Sequence, residues 1–290
     1  MSNTTIFAWL LSPIVFGTLV GLVIPGSEYI ETAVLRQLSS VLGWTYLLAW
    51  GKSFYPQIVL NYQRKSIEGL SVDFQLLNFL GFACYSVYNC ALFWDCAIRQ
   101  EYFDIHGHPP AVHINDVVFA LHGFVMTSIA FLQCFLYGSP RKSLSKMAVL
   151  FSACTCFVCG MLSLLLGLHV SWIGLDWMSL IYILSYIKVF ITLIKYMPQI
   201  ILNFRRQSTE GWSVIQVCLD AEGGIFSTAQ QILDAIVTQH RSSITGNPAK
   251  MGLGLISLVF DAILMIQHWV LYPDNDADDN DTHPLLGIQS

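Results

Sequence analysis

The chain is short of charged residues. Only 11% of its 290 residues are Asp, Glu, Lys or Arg, whereas 54% are hydrophobic. A soluble domain carries about 25% charged residues, so this composition excludes an ordinary soluble globular protein. A basic excess is also missing, because 14 Lys and Arg stand against 19 Asp and Glu. Without such an excess the chain has no electrostatic surface for nucleic acid, and we predict no nucleic-acid partner.

Catalytic and metal-binding patterns are missing as well. Cys154, Cys156 and Cys159 have the spacing of part of a zinc site, but their surroundings are uncharged and contain no His. Structural zinc needs four ligands, so a buried cysteine cluster is the simpler interpretation. We therefore predict neither an enzyme nor a metal site.

Long apolar stretches take the place of charged surface. Uncharged runs near the ~20 residues that cross a bilayer occur at 6–27, 74–94, 117–138 and 147–175. Four more runs carry one or two ions each, at 38–60, 177–204, 212–233 and 251–273. The sequence thus predicts an all-α membrane protein embedded in the lipid bilayer.

The chain contains an internal duplication. A shift of 142 residues places 56–72 on 198–214, with 11 identities in 17 positions. Such self-similarity indicates two copies of one structural unit. We predict seven core transmembrane helices: a three-helix repeat at 38–138, a linker helix within 139–176 and a second repeat at 177–273. A single linker helix leaves both repeats in the same orientation, the parallel arrangement known in small carriers.

The two ends of the chain lie outside the repeats. Residues 1–37 hold an apolar segment that is either an extra N-terminal anchor helix or a signal peptide. Its first five residues lack the basic charge that signal peptides carry, which favours the helix. Residues 274–290 form an acidic tail too polar to fold alone. Lys and Arg concentrate in the loops on one side, which predicts that this side and the tail are cytosolic.

Two motifs carry a family resemblance. Tyr55-Pro56-Gln57 with Asn61 and Tyr196-Met197-Pro198-Gln199 with Asn203 resemble the paired motifs of PQ-loop transporters. Further stretches between 38 and 272 resemble the members that export cystine from lysosomes together with protons. These stretches are Gly69–Phe74, Asn115-Asp116-Val117, Ser185–Lys188, Ser208–Ser213 and Phe260-Asp261. The resemblance implies alternating access, L-cystine as substrate and protons as the coupling ion, with no other cofactor.

The prolines predict where the helices bend. Pro56 and Pro198 each remove one backbone hydrogen bond from a predicted span, which produces a kink at equivalent places in the repeats. Gln57 and Gln199 can bond the freed backbone, and the resemblance implies a gating role for them.

Charged side chains inside the membrane indicate the substrate site, because each costs about 2.5–3.5 kcal/mol to insert. Lys188 and Lys195 are seven residues apart and share one helix face. Asp220 stands at the repeat position of Asn78. Cystine has two carboxylates and two ammonium groups, which these charges would complement. A purely structural Lys–Asp pair is the alternative.

The resemblance assigns roles to individual positions. It places Asn78, Lys188, Lys195 and Asp220 in the substrate site, together with Gln216, where the family pattern has Asn. It implies that Asp116 and Asp261 handle the proton, and we expect Asp220 to share this role because it stands in the substrate site.

Three departures from the family pattern concern the substrate, Gln216 and two charged residues. Lys52 and Glu222 are unexpected charges, and Glu222 is predicted to pair with Lys52. They leave open a carrier of another amino acid, cationic or neutral. A cargo or retrieval receptor on the same fold is a further alternative.

The tail contains a sorting pattern. Asp281 is followed by Leu285 and Leu286, as in acidic dileucine signals. On the cytosolic side it would bind sorting adaptors and direct the protein to the lysosomal or vacuolar membrane.

Overall fold

The regular structure of the described residues is helical. The computed structural model describes residues 3–24, 30–107, 110, 112, 114–138, 144–168, 176–238 and 248–273. Within these ranges the helices are α1 (Asn3–Val23), α2 (Ala33–Ser53), α3 (Tyr55–Arg64), α4 (Val72–Trp94), α5 (Cys96–His106), α6 (Ile114–Leu136), α7 (Lys146–Gly167), α8 (Trp177–Ile194), α9 (Met197–Arg206), α10 (Val214–Thr238), α11 (Pro248–Ile266) and a π-helical turn (Gln267–Leu271).

Six stretches of the described chain are long and apolar enough to cross a bilayer. They are Ile6–Val23, Val72–Trp94, Asp116–Leu136, Lys146–Gly167, Trp177–Arg206 and Gly254–Leu271. The predicted all-α membrane fold is therefore confirmed. The other two predicted spans correspond to α2 and α10, which have 21 and 25 residues but are more polar.

The chain folds into two compact units. Unit 1 consists of Met1–Ser71 and Met197–Ser290, and unit 2 of Val72–Tyr196. Unit 1 thus combines the first helices of the first repeat with the later helices of the second repeat. Unit 2 combines the remaining helices of both repeats with the linker helix α7. The repeat boundaries that the sequence predicts follow the duplication, whereas each compact unit contains helices of both repeats.

Unit 2 is built around an apolar core. Its buried members come from α4, α5 and α8 and include Leu77, Leu80, Met178, Ile181 and Ile191. Helices α5 and α8 each begin at a carboxylate that accepts hydrogen bonds from the free N–H groups of the helix start. Asp95 accepts from the backbone N–H of Ala97 and Ile98 at 2.9 and 3.0 Å, and Asp176 accepts from Ser179 N–H at 2.6 Å.

In unit 1 the N-terminal helix α1 packs closely on α2. A Cβ atom at Gly17 would lie 2.5 Å from the Cα atom of Thr45, and one at Gly21 would lie 2.5 Å from the Cα atom of Val41. Small residues four apart let two helix backbones approach in this way. Ser40 Oγ also donates to the carbonyl of Ile24 at 2.7 Å. This packing is what a retained helix would require, and the choice between anchor and signal peptide stays a prediction.

Candidate functional site

Two helix breaks mark the Pro-Gln motifs. Helix α2 ends at Ser53 and α3 begins at Tyr55, so that Pro56 lies in the first turn of α3. In the second repeat α8 ends at Ile194 and α9 begins at Met197, one residue before Pro198. Proline is tolerated in a first turn because its missing N–H would have no partner there. The chain is therefore interrupted at equivalent places, while the hinge role of both prolines stays a prediction.

The turns after α3 and α9 repeat the same backbone conformation. Lys65 and Gln207 have φ values of 48° and 52°, and Gly69 and Gly211 have φ values of 90° and 85°. Each pair is separated by the repeat distance of 142 residues. Left-handed conformations are costly for residues with a Cβ atom, so their recurrence indicates one turn built twice.

Gln57 joins the turn of the second repeat. Its amide nitrogen donates to Asn61 Oδ1 at 2.8 Å and to the carbonyl of Gly211 at 3.0 Å. Its amide oxygen accepts from the backbone N–H of Ser213 at 2.7 Å. The side chain is 1% exposed, so each of these hydrogen bonds satisfies a buried polar group.

Gln199 makes the reciprocal contacts. Its amide nitrogen donates to Asn203 Oδ1 and to the carbonyl of Gly69, both at 2.8 Å. Its amide oxygen accepts from the backbone N–H of Ser71 at 2.8 Å. Each glutamine therefore holds the turn of the other repeat, and we call these contacts of Gln57 and Gln199 the crossed glutamine frame.

The two turns touch at their glycines. A Cβ atom on Gly69 would lie 1.7 Å from the carbonyl oxygen of Glu210, and one on Gly211 would lie 1.6 Å from that of Glu68. These distances are far below van der Waals contact, so only glycine fits at both positions. Arg64 and Glu210 form an ion pair beside this contact.

Unit 2 brings together three of the predicted substrate residues. Lys195 Nζ donates to Asn78 Oδ1 at 3.2 Å and lies 4.7 Å from the ring centroid of Tyr196. Lys188 Nζ lies 3.9 Å from the ring centroid of Phe82. A neutral amide and aromatic faces hold an ammonium group without cancelling its charge. Two ammonium groups on one helix face are a feature that suits anionic groups of a ligand.

Unit 1 brings together two of the predicted proton-handling residues. Ser257 Oγ lies 3.0 Å from Oδ2 of Asp220 and 3.2 Å from Oδ2 of Asp261. Asp261 is 1% exposed, whereas Asp220 is half-buried. Gln216 is four residues before Asp220 and therefore on the same face of α10. The indole N–H of Trp50 donates to the backbone carbonyl of Asp220 at 3.1 Å, which fixes α10 against α2.

Asp116, the third predicted proton-handling residue, belongs to unit 2. It lies in the first turn of α6 and close enough to Tyr88 of α4 for their charges to interact. Of the three predicted proton-handling residues, Asp220 and Asp261 belong to unit 1 and Asp116 to unit 2.

A further acid pair occurs in unit 2. Burial, followed by the hydrogen bond and the charge of Asp176, raises the pKa of Glu101 above its ordinary value. The hydroxyl of Ser179 donates to Asp176 at 2.5 Å and lowers the pKa of that carboxyl. The environment thus favours the proton on Glu101 and the negative charge on Asp176.

Comparison with known proteins agrees with this architecture. The family model described as PQ loop repeat matches residues 38–97 and 180–237. A protein named Cystinosin homolog from Dictyostelium discoideum is 42% identical over 83% of this chain and 83% of its own length. The chain belongs to the cystinosin family. Bovine Cystinosin is 39% identical over 84% of this chain and 65% of its own length, so the chain spans about two thirds of that relative. The Saccharomyces cerevisiae protein named Cystine transporter is 30% identical over 86% of this chain and 99% of its own length.

Lys52 is a departure from the cystinosin pattern that the structure explains differently from the sequence. We expected an ion pair with Glu222, but Lys52 Nζ instead donates to the carbonyl of Trp9 at 3.2 Å and to the hydroxyl of Ser12. Pro13 has no N–H to bond the Trp9 carbonyl four residues earlier, which leaves that oxygen available. The ammonium also lies 4.4 Å from the Trp9 ring centroid. The hydrogen bonds of Lys52 thus come from the N-terminal helix, while its charge still interacts with that of Glu222.

Two residues make contacts that sequence reasoning did not assign. Gln267 accepts from Asn203 Nδ2 at 3.0 Å and donates to the carbonyl of Ile200 at 3.0 Å, which ties the π-helical turn to α9. Ser257 links the two aspartates described above. The signal for Ser257 was its spacing four residues before Asp261, which places both on one helix face. The sorting motif Asp281, Leu285 and Leu286 lies outside the described residues.

Proposed function

We propose that the protein is a proton-coupled transporter that exports cystine from lysosomes or vacuoles to the cytosol by alternating access. The observation that carries this proposal is the pair of ammonium groups on the α8 segment, one of them held by the amide of Asn78. The names of the bovine and yeast relatives support cystine as the substrate.

The substrate has groups that match these side chains. L-cystine carries two carboxylates and two ammonium groups at neutral pH. We assign the carboxylates to Lys188 and Lys195, and an ammonium group to the carboxylate of Asp220. Asn78 and Gln216 supply amide groups that can both donate and accept hydrogen bonds.

The coupled proton is assigned to carboxyl groups. Asp261 is buried in an apolar helix, where an ionised carboxylate is costly. It is joined through Ser257 to Asp220, which we place in the substrate site. Asp116, at the start of α6, is assigned to proton entry from the lumen.

The crossed glutamine frame is assigned to gating. Alternating access needs helix segments that move about defined points, and hinges are commonly element ends. The helix breaks beside Pro56 and Pro198 supply such points, and Gln57 and Gln199 hold the segments that follow them.

The tail is assigned to sorting. Leu285 and Leu286 follow an acidic stretch, and we propose that cytosolic adaptors bind them. Replacing both with Ala should send the protein to the cell surface. A double variant that remains in acidic organelles would contradict this assignment.

Transport can be tested with that surface-directed variant, because its outer face then corresponds to the lumen. Cystine should evoke an inward current that grows as external pH falls from about 7 to about 5, the range of a neutral cytosol and an acidic lumen. Asp261→Asn should bind cystine but lose this pH dependence. Absence of cystine flux in the parent variant would contradict transport and favour a receptor. Retention of the full pH response by Asp261→Asn would remove that residue from coupling.

A second candidate is a carrier of a cationic amino acid. The Oε1 atom of Glu222 is buried and has no hydrogen-bond partner in the described structure, and Lys52 reaches it through its charge while bonding Trp9. A carboxylate in this condition is suited to a cationic side chain. Competition of cystine uptake by lysine or arginine, lost in Glu222→Gln, would favour this candidate.

A further inference from the structure

Ser257 occupies the position between the two carboxyl groups of unit 1. Its hydroxyl oxygen is 3.0 Å from Asp220 on α10 and 3.2 Å from Asp261 on α11. Ser257 is 7% exposed and Asp261 is 1% exposed. The serine is four residues before Asp261, so both side chains leave the same face of α11.

The chemistry of a hydroxyl decides how it can link two carboxyl groups. A serine hydroxyl has one hydrogen to donate and lone pairs that accept. It can therefore donate a full hydrogen bond to only one of the two carboxyl groups. When one of the two aspartates is protonated, the hydroxyl can accept a hydrogen bond from that carboxyl group and donate one to the other carboxylate. The cluster then holds one proton and one negative charge.

We propose that Ser257 is the bridge through which this proton passes between Asp220 and Asp261. In the transfer, the O–H bond of protonated Asp220 breaks, and the released hydrogen forms an O–H bond with Ser257 Oγ. The original hydrogen of Ser257 leaves at the same time to form an O–H bond with Asp261 Oδ2. Ser257 is again a neutral hydroxyl, Asp220 is now a carboxylate and the total charge is unchanged. The reverse transfer uses the same atoms.

The bridge deepens the proposed function and rests on it, because it connects substrate binding to the buried proton site. When Asp220 gives its proton to Asp261, it becomes the carboxylate that an ammonium group of the substrate requires. Binding of substrate at Asp220 then favours the proton on Asp261. Ser257 is a positioning residue in this scheme, since it transmits the proton without contacting substrate.

Other ionisable groups of unit 1 lie on the helix of Asp220 or on elements packed near it. Cys218 on α10 lies within electrostatic reach of Asp261 and of Glu222. Glu222 is two residues after Asp220, about 200° around the helix, and so faces away from the bridge. On α2, Lys52 is held by Trp9 and Ser12 of α1, and His268 of the π-helical turn bonds Thr209 at 2.6 Å.

The test compares Ser257→Ala with Ser257→Thr in the surface-directed variant. Cystine affinity and the cystine-evoked current are measured as external pH falls from about 7 to about 5. Ser257→Ala should bind cystine within about threefold of the parent protein, as a small truncation away from substrate. The increase of its cystine-evoked current on acidification should be smaller than in the parent protein by about tenfold, because one proton site that titrates over this range no longer takes part. Ser257→Thr keeps the hydroxyl and should keep the pH response.

A second measurement is used if Ser257→Ala folds poorly. In an Asp261→Asn background the bridge has no acceptor, so Ser257→Thr and the parent serine should give the same flat pH profile. A full pH response in Ser257→Ala, or a flat profile in well-folded Ser257→Thr, would overturn the bridge. A parent variant without a pH-dependent current would instead contradict the proposed function, which keeps the two failures distinct.

Discussion

The two repeats agree in their Pro-Gln motifs and differ in their charges. Gln57 and Gln199 make the same set of hydrogen bonds, with distances of 2.7–3.0 Å in the first case and 2.8 Å throughout the second. At the positions of Lys188 and Lys195 the first repeat has Tyr46 and Ser53. The shared part forms the frame, whereas the second repeat carries these ionisable groups.

This difference shows which parts of a duplicated protein are free to diverge. The crossed glutamine frame is reciprocal, because each repeat supplies the glutamine for the other's turn. A change in one copy therefore damages both halves of the frame. A substrate or proton group acts once, so one copy can carry it while the other becomes aromatic or neutral.

The largest effect is expected at the touching glycines of the two turns. Gly69→Ala and Gly211→Ala each place a Cβ atom within 1.7 Å of a backbone oxygen, and both glycines have positive φ. We expect loss of folded protein for both, measured by expression and size-exclusion chromatography. Gly51→Ala is the control, since nothing lies within 4 Å of its added Cβ. Normal folding of either turn variant would contradict the equivalence of the turns.

The next effect concerns the unequal charges. Lys195→Ala should weaken cystine binding at least about 100-fold, because the charged hydrogen bond from this lysine to a carboxylate of bound cystine is lost. Ser53→Ala at the equivalent position of the first repeat should change binding by less than about threefold. Radiolabelled cystine binding to purified protein measures both. Unchanged affinity in Lys195→Ala would return this lysine to a structural role.

A moderate effect is expected from the frame glutamines. Gln57→Leu and Gln199→Leu each leave buried backbone groups without partners, which should cost about 2–4 kcal/mol of unfolding free energy. Because the two sets of hydrogen bonds match, the two losses should agree within about 1 kcal/mol. Thermal unfolding in detergent measures them, with the exposed Gln63→Leu as control. A loss confined to one glutamine would break the symmetry of the frame.

The smallest effect on stability is expected at the N-terminus of the first helix of each repeat. Helix α8 is capped by Asp176, whereas Thr32 at the start of α2 makes no such side-chain bond. The lowered pKa of Asp176 stabilises the fold at pH values above its ordinary 3.8, and this contribution is lost as pH falls through the lowered pKa. Asp176→Asn should therefore destabilise at neutral pH and at pH near 5 alike.

Glu101 has the opposite sign. Its raised pKa makes the ionised form unfavourable in the folded protein, so the cost is present above that pKa and fades as pH falls towards the ordinary 4.5. Glu101→Gln should raise the melting temperature at neutral pH, with the gain shrinking as the pH approaches 4.5. Thermal unfolding over this range measures it. A gain that grows on acidification would show that Asp176 does not hold Glu101 in this way.

Periodic and duplicated features of the fold could be predicted from the sequence. Hydropathy predicted the helices, and the 142-residue shift predicted that Gln57 and Gln199 are equivalent. The crossing of the two glutamines could not be predicted, because a repeat shows which residues are alike and not which turn each one contacts. The compact units could not be predicted for the same reason, since self-similarity does not show that α2 contacts α10.

The candidate site was predictable where charge alone indicates function. Lys188, Lys195, Asp220 and Asp261 stand out because ions are rare in apolar helices. Ser257 and Gln267 do not, since neutral polar residues are common in such helices and their partners lie on other segments. The hydrogen bonds of Lys52 could not be predicted for a similar reason, because Pro13 leaves the backbone oxygen of Trp9 available and supplies no side-chain signal.

The discontinuity of unit 1 has a consequence for biosynthesis. Residues up to Ser71 belong to the same compact unit as residues from Met197 onwards. Gln57 is synthesised 154 residues before the Gly211 carbonyl that it bonds. At the usual rate of translation this interval lasts roughly 10–30 s, during which the first polar helices have been made without their final partners. A variant of unit 2 that delays insertion therefore prolongs the exposure of unit 1, although it touches none of its residues.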